Sequence, residues 1–283
     1  MRLILKNIYL ILLSAIVCML QAESVFILIH GTWGADCSWY VPKGDFFEAL
    51  EQTVCKKNSS VVPFRWSGGA GHGARIKAAH SLVKLIKTYN SRVAIYIIAH
   101  SHGGNVATLA SHILEEDENN MHHIRALFTL GTPVMNNYLP NMNTIHYLYN
   151  LFSFEDLIQT VLGISGREYP EHKRIANLRV FINGKEPMHT DLHHPLIGKW
   201  LPYLHQHFKQ YLRENGIIDH ISEPSIVYFA DNEIPGYNFD TNRTVLLEKD
   251  RQLCILILDS LRSSVPSSVE FHEKPAKREI EAH

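Results

Sequence analysis

The chain has 283 residues, 46 % of them hydrophobic and 19 % charged, an ordinary globular composition that suits one sizeable core with appendages. Its formal net charge of −1 gives the chain as a whole no electrostatic reason to hold nucleic acid or an anionic membrane face, so no nucleic-acid partner is expected.

In chain order, Arg2 and Lys6 come first and flank the start of an apolar run of 13 residues, Ile8 to Leu20. That is short for a bilayer span and right for the apolar part of a signal peptide. Residues 1–22 therefore read as a signal peptide cut after Ala22. Leu20 is larger than the residue usual at its place in such a cleavage site, so an uncleaved anchor is the alternative. The expected location is secreted or periplasmic, or tethered to a membrane through this segment. Cys18 reads as filler of the apolar run. Export would leave Cys37, Cys55 and Cys254 in an oxidising compartment, where one pair, Cys37 with Cys55, and one buried thiol are expected.

Beyond it, apolar runs at Ser24–Ile29, Val61–Phe64, Val93–Ala99, Ala126–Leu130, Thr144–Tyr149 and Leu178–Ile182 do not alternate with polar residues. Such runs suit strands buried on both faces of a parallel sheet. Helical stripes lie between them: Ile76, Ala79, Val83 and Ile86 form one, and Val106, Leu109, Ala110, Ile113 and Leu114 form another. The alternation predicts a three-layer α/β fold with a mostly parallel central sheet, over residues 23–218. From about Asp219 the rhythm changes. Residues 219–262 read as a C-terminal extension, in which Ser225–Phe229 and Leu253–Leu261 are apolar, and 263–283 as a disordered tail. There is no internal repeat.

The strongest chemical signal is Ala99-His100-Ser101-His102-Gly103-Gly104, which closes one predicted strand and opens the best helix. A sharp strand-to-helix turn strains the Ser backbone and lifts its hydroxyl clear of the sheet, and the residues two before and two after it must be small. Ala99 and Gly103 are small, and the pattern is Gly-x-Ser-x-Gly with Ala at its first position. Ser also caps helices well, but the strand before and the helix after favour a nucleophile. A second signal, His30-Gly31-Thr32-Trp33-Gly34, follows the first strand. Acyl transfer needs two N–H donors aimed at the developing oxyanion. His102 supplies one, and Thr32 is the candidate for the other, with Trp33 second.

These segments carry a resemblance. HGTWG, WYVPKGDFFEAL, PFRWSGG, GARIKAAHSLVKLI and IIAHSHGGNVA, in that order, together resemble lipase-like α/β-hydrolases of the serine-esterase kind. Thr129-Leu130-Gly131-Thr132-Pro133 is similar to the stretch after the next strand of many lipases. The resemblance covers about residues 25–200 and implies hydrolysis of an ester-like acyl bond. It also implies that the triad acid lies after the strand ending near Tyr149, where Ser153-Phe154-Glu155-Asp156 offers Asp156, with Glu155 its rival. The base is expected shortly beyond the strand that ends near Asn183. His189 lies closest to it, and Met188-His189-Thr190-Asp191-Leu192 resembles the stretch in which such enzymes carry the base. His193 and His194 are the alternatives.

Two other patterns point elsewhere. Gly69-Ala-Gly71-His-Gly73-Ala74 mimics a dinucleotide fingerprint but lacks the acidic residue expected about 20 positions on. His189 and His193 have helical spacing but lack the Glu of a zinc protease. No cofactor and no metal are expected. The reading is a serine hydrolase acting on a small-molecule or lipid ester through an acyl-enzyme on Ser101, with His189 as base and Asp156 orienting it. An acyltransferase with the same triad, or an inactive interaction module, are the alternatives. The short Val134–Asn143 connection leaves no room for a large lid there, so short or medium acyl chains are expected.

Overall fold

The computed structural model describes residues 24–54, 59–162, 166–214, 225–231 and 236–238. The N-terminal segment, Cys55, Cys254 and the tail lie outside them, and with Cys55 lies the expected Cys37–Cys55 pair; Cys37 is exposed and has no disulfide partner among the described residues.

Eight strands form one sheet in the order β2-β1-β3-β4-β5-β6-β7-β8. They are β1 (Ser24–Ile29), β2 (Ser59–Phe64), β3 (Ala94–His100), β4 (Ile124–Leu130), β5 (Leu148–Phe152), β6 (Ile175–Ile182), β7 (Ser225–Phe229) and β8 (Gly236–Asn238). The first seven in that order run parallel, and β8 pairs antiparallel to β7. Parallel neighbours need crossover connections, and helices supply them. The helices are α1 (Asp45–Val54), α2 (His72–Thr88), α3 (His102–Glu116), α4 (Leu157–Leu162) and α5 (Pro195–Glu214).

Side chains alternate across a strand, and in this sheet both sides are covered. From β1, Phe26 and Leu28 join a core with Phe46 and Leu50 of α1 and Ile197, Leu201 and Leu204 of α5. Val25, Ile27 and Ile29 point the other way, to Leu82 and Ile86 of α2 and Val106 and Ala110 of α3. A strand dry on both faces has no polar alternation, which is why the apolar runs read as they do. This is a three-layer α/β-hydrolase fold. Pro63 sits in β2 at the sheet's edge, the place where a missing N–H costs no ladder bond.

Two elements differ from the sequence reading. The strand expected at Thr144–Tyr149 begins at Leu148 and runs to Phe152. Ile145 makes only an isolated bridge to Ile124, because the Thr144 hydroxyl is held by the carbonyls of Ser111 and Asn141 in a turn. Ser225–Phe229, set apart in the sequence by the turn-rich stretch around it, pairs with β6 as the seventh strand. Because all strands but the last are parallel, the loops after β1, β3, β5 and β6 leave the same edge of the sheet.

Candidate active site

β3 ends at His100 and α3 begins at His102, so Ser101 alone makes the turn. It does so at φ 54° and ψ −134°, a backbone conformation that a residue with a side chain holds only under strain. The surroundings enforce it. The Ser101 N–H donates to the Leu130 carbonyl at 2.9 Å, and the Thr132 hydroxyl donates to the Ser101 carbonyl at 2.9 Å. Gly103 lies against the end of β1, where a Cβ would stand 2.6 Å from the His30 oxygen. The small residue two places after Ser101 is thus dictated by contact with a backbone that cannot yield.

Asp156 follows β5 and is wholly buried, whereas Glu155 beside it is exposed. The Asp156 Oδ2 lies 2.7 Å from His189 Nδ1, and Oδ1 accepts the Gln159 N–H at 3.1 Å. A carboxylate on Nδ1 sets the proton there and leaves the lone pair on Nε2, the tautomer a general base needs. Gln159 also donates its side-chain amide to the Thr132 carbonyl at 3.0 Å, tying this loop to the one after β4.

His189 opens a short 3-10 turn, His189–His193, between β6 and α5. Its ring packs 4.6 Å from the ring of His100, the neighbour of Ser101. The other two histidines are engaged differently. His193 stacks on Trp39 at 5.1 Å, nearly coplanar, and burial holds it below its ordinary pKa. His194 Nδ1 accepts the Leu196 N–H at the start of α5. Of the candidate acids and bases, only Asp156 and His189 are brought into contact with each other among the described residues.

The loop after β1 approaches Ser101 from one side: a Cβ on Gly31 would lie 3.2 Å from Ser101 Oγ. Trp33 donates its N–H to the Gly68 carbonyl at 2.9 Å and so has none left for an oxyanion, which leaves Thr32. The Thr32 hydroxyl is itself buried without a hydrogen-bond partner among the described residues. His30 braces this loop. Its Nε2 accepts the Trp66 N–H at 3.3 Å, so Nδ1 carries the proton and donates to the Gly31 carbonyl at 2.8 Å. Burial lowers its pKa and keeps it neutral. His102 starts α3, where N–H groups have no helical acceptor. Its ring accepts the Asn105 amide at 2.9 Å, and burial first, then Arg75 and His189, lower its pKa to about 4.

Among the described residues no group of three His, Cys, Asp or Glu side chains is placed to hold a metal ion. The fingerprint-like turn at residues 69–74 leads into α2, where Arg75 donates to the Ala70 carbonyl and the Tyr138 hydroxyl. Thr132, Gln159 and Glu186 all hold site loops, and none was singled out from the sequence. Only Thr132, inside the lipase-like stretch, carried any signal there.

Residues 45–163 match the model of the lipase (class 3) family, a span that includes Ser101 and Asp156. Over that span the chain resembles lipase-like α/β-hydrolases. Several solved structures match part of the chain. A cutinase-like protein from Cryptococcus sp. is 11 % identical with a TM-score of 0.33; the match covers 54 % of this chain and 64 % of that one, under two thirds of its length. An esterase from Rhizomucor miehei is 11 % identical with a TM-score of 0.41, over 72 % of this chain and 76 % of that one. Alpha/beta hydrolase domain-containing protein 10 from mouse is 12 % identical with a TM-score of 0.40, over 68 % and 90 % respectively. No curated protein matches the chain.

Proposed function

We propose that this chain cleaves carboxylic esters through an acyl-enzyme on Ser101, and the observation that carries the reading is the Asp156–His189 pair, with the His189 ring packed on His100, directly before a strained Ser101. His189 Nε2 takes the Ser101 proton as Oγ attacks the ester carbonyl. The N–H groups of Thr32 and His102 hold the oxyanion. Collapse of the tetrahedral species releases the alcohol, which leaves with the proton from His189. Water then attacks the acyl-enzyme by the same route and frees the acid. The Asp156 carboxylate orients the ring and stabilises the imidazolium.

The substrate class is a small-molecule or lipid ester of short or medium acyl length. Trp33, Leu157 and Met188, the chain neighbours of Thr32, Asp156 and His189, are exposed, and such apolar side chains would suit the carbon chain of such an ester. A series of activated esters of rising chain length tests this. The rate should peak at short or medium chains, and a peak at long-chain emulsions would refute it. With the best ester, Ser101→Ala and His189→Ala should each lose about a thousandfold or more in kcat, and His193→Ala and His194→Ala only a few-fold. A fluorophosphonate should label Ser101 in the wild type. Retention of more than about one hundredth of kcat in Ser101→Ala would sink the assignment.

The chain is proposed to act outside the cytoplasm, secreted or periplasmic after a cut at Ala22, or membrane-tethered if uncut. Sequencing the exported form should find Glu23 first; an intact Met1 would make the segment an anchor.

A further inference from the structure

His100 joins the two halves of the site. It is the last residue of β3, directly before Ser101, and its side chain is buried. Its Nε2 lies 2.9 Å from the backbone carbonyl oxygen of His189. A carbonyl oxygen only accepts, so Nε2 carries the proton and donates it. Burial first, then the neighbouring His189 and His193, hold the His100 pKa well below its ordinary value. The ring is therefore neutral, and its single proton is committed to this bond. Packing leaves the ring no other place: His193 meets it edge-on at 5.0 Å and Trp39 at 5.9 Å.

The His189 ring is held at one end by Asp156. That bond orients the imidazole about Nδ1 but does not set how far the 189–193 turn stands from the nucleophile. The Oδ2 and the turn both belong to loops that leave the sheet beyond β4. The His100 bond is different, because it runs from the residue covalently next to Ser101 to the backbone of the base itself.

We propose that His100 is a positioning residue for acyl transfer: its Nε2–H clamps the His189 backbone to the nucleophile turn and so sets the spacing between base and nucleophile. The proposal rests on the roles given above to Ser101 and His189. A misplacement of about 1 Å at a reacting pair costs roughly a hundredfold, so one hydrogen bond here reaches the rate without touching substrate.

The test compares His100→Gln, His100→Asn and His100→Leu. A Gln amide nitrogen reaches as far from the backbone as imidazole Nε2, while an Asn amide reaches only as far as Nδ1. Gln should keep kcat within about threefold of wild type, whereas Asn and Leu should lose about ten- to a hundredfold at unchanged KM. The downfield proton resonance of His189 Nδ1, shared with Asp156, should persist in the Gln protein and broaden or vanish in the Asn protein. Kcat within about threefold of wild type in Asn as well as Gln, or an equal loss in both, would overturn the clamp. Should the Leu protein not fold, the Gln and Asn pair still decides, since both keep an amide in the same cavity. If wild-type Ser101 resists the fluorophosphonate, the proposed function fails instead. The His189 resonance then still decides whether His100 holds the base.

Discussion

Gly131 shows how closely the backbone is drawn around the Asp156–His189 pair. It sits at φ +60°, and a Cβ there would lie 2.8 Å from Asp156 Oδ2, 2.9 Å from Leu192 Cδ1 and 3.1 Å from His189 Nδ1. Gly131→Ala should therefore cost about 1–2 kcal/mol of stability for the left-handed backbone. It should also lower kcat by about tenfold or more as the carboxylate–imidazole pair is pushed apart. A urea midpoint and a kcat measured on one preparation separate the two effects. An unchanged kcat would mean that the pair tolerates the displacement. At this scale the sequence already pointed to Ser101 and Thr32 through short patterns with a local reason, and to Asp156 and His189 with the help of the family resemblance. Gly131 was visible only as part of a family-like string. Its need for glycine comes from its positive φ and from three side chains that lie 25, 58 and 61 positions further along the chain.

At the scale of the elements, the loop carrying Asp156 is held by a residue from beyond β6. Glu186 Oε2 accepts the Phe154 N–H at 2.7 Å and the Ser153 hydroxyl at 3.3 Å. Its Oε1 takes the Arg179 guanidinium through Nε at 3.0 Å and also through Nη2. Burial alone would raise the Glu186 pKa, but the hydrogen bonds from Arg179 and Phe154 outweigh it and the net shift is downward. One carboxylate thus links β6 to the loop after β5. Glu186→Ala leaves Arg179 and the Phe154 N–H without that acceptor. It should destabilise by about 1–3 kcal/mol and lower kcat more than it raises KM, because the loop that fails is the one bearing the acid. Thermal unfolding and steady-state kinetics together check this, and a variant altered in stability alone would refute the link to the acid. The sequence held no sign of the brace. Glu186 lies in a polar turn, and a single carboxylate there reads as a solvated surface residue.

Over the whole molecule, a group of histidines is buried uncharged. His30, His100, His102 and His193 all have pKa values depressed by burial, His102 from 6.5 to about 4. Unfolding frees them to titrate at the ordinary value. Between that value and the folded one the unfolded chain binds more protons, so stability falls as the pH falls. The window opens near 6.5 and reaches down to about 4 for His102. Above it these four make no difference. The thermal midpoint should hold level from pH 8 to 7 and drop steadily below about 6.5, ahead of ordinary carboxylate titration. A midpoint level down to pH 5 would refute the claim that these rings stay neutral in the fold.

What the sequence by itself determined is local. Apolar runs without alternation specify strands covered on both faces, and helical stripes between them specify the layers, because each such segment can bury its surface in one way only. The same holds for Ser101, whose strand, turn and helix are contiguous in the chain. The tertiary structure alone decided how distant pieces meet. Asp156 rather than Glu155 faces His189, 33 residues away, buried where Glu155 is exposed, because the His189 ring from beyond β6 meets its carboxylate there. Thr32 rather than Trp33 is left to donate because Gly68, from the loop after β2, takes the Trp33 N–H. Ser225–Phe229 joins the sheet because the edge of β6 offers it a ladder. Each of these outcomes depends on a hydrogen-bond partner supplied by another loop, and no pattern within one segment records the partner.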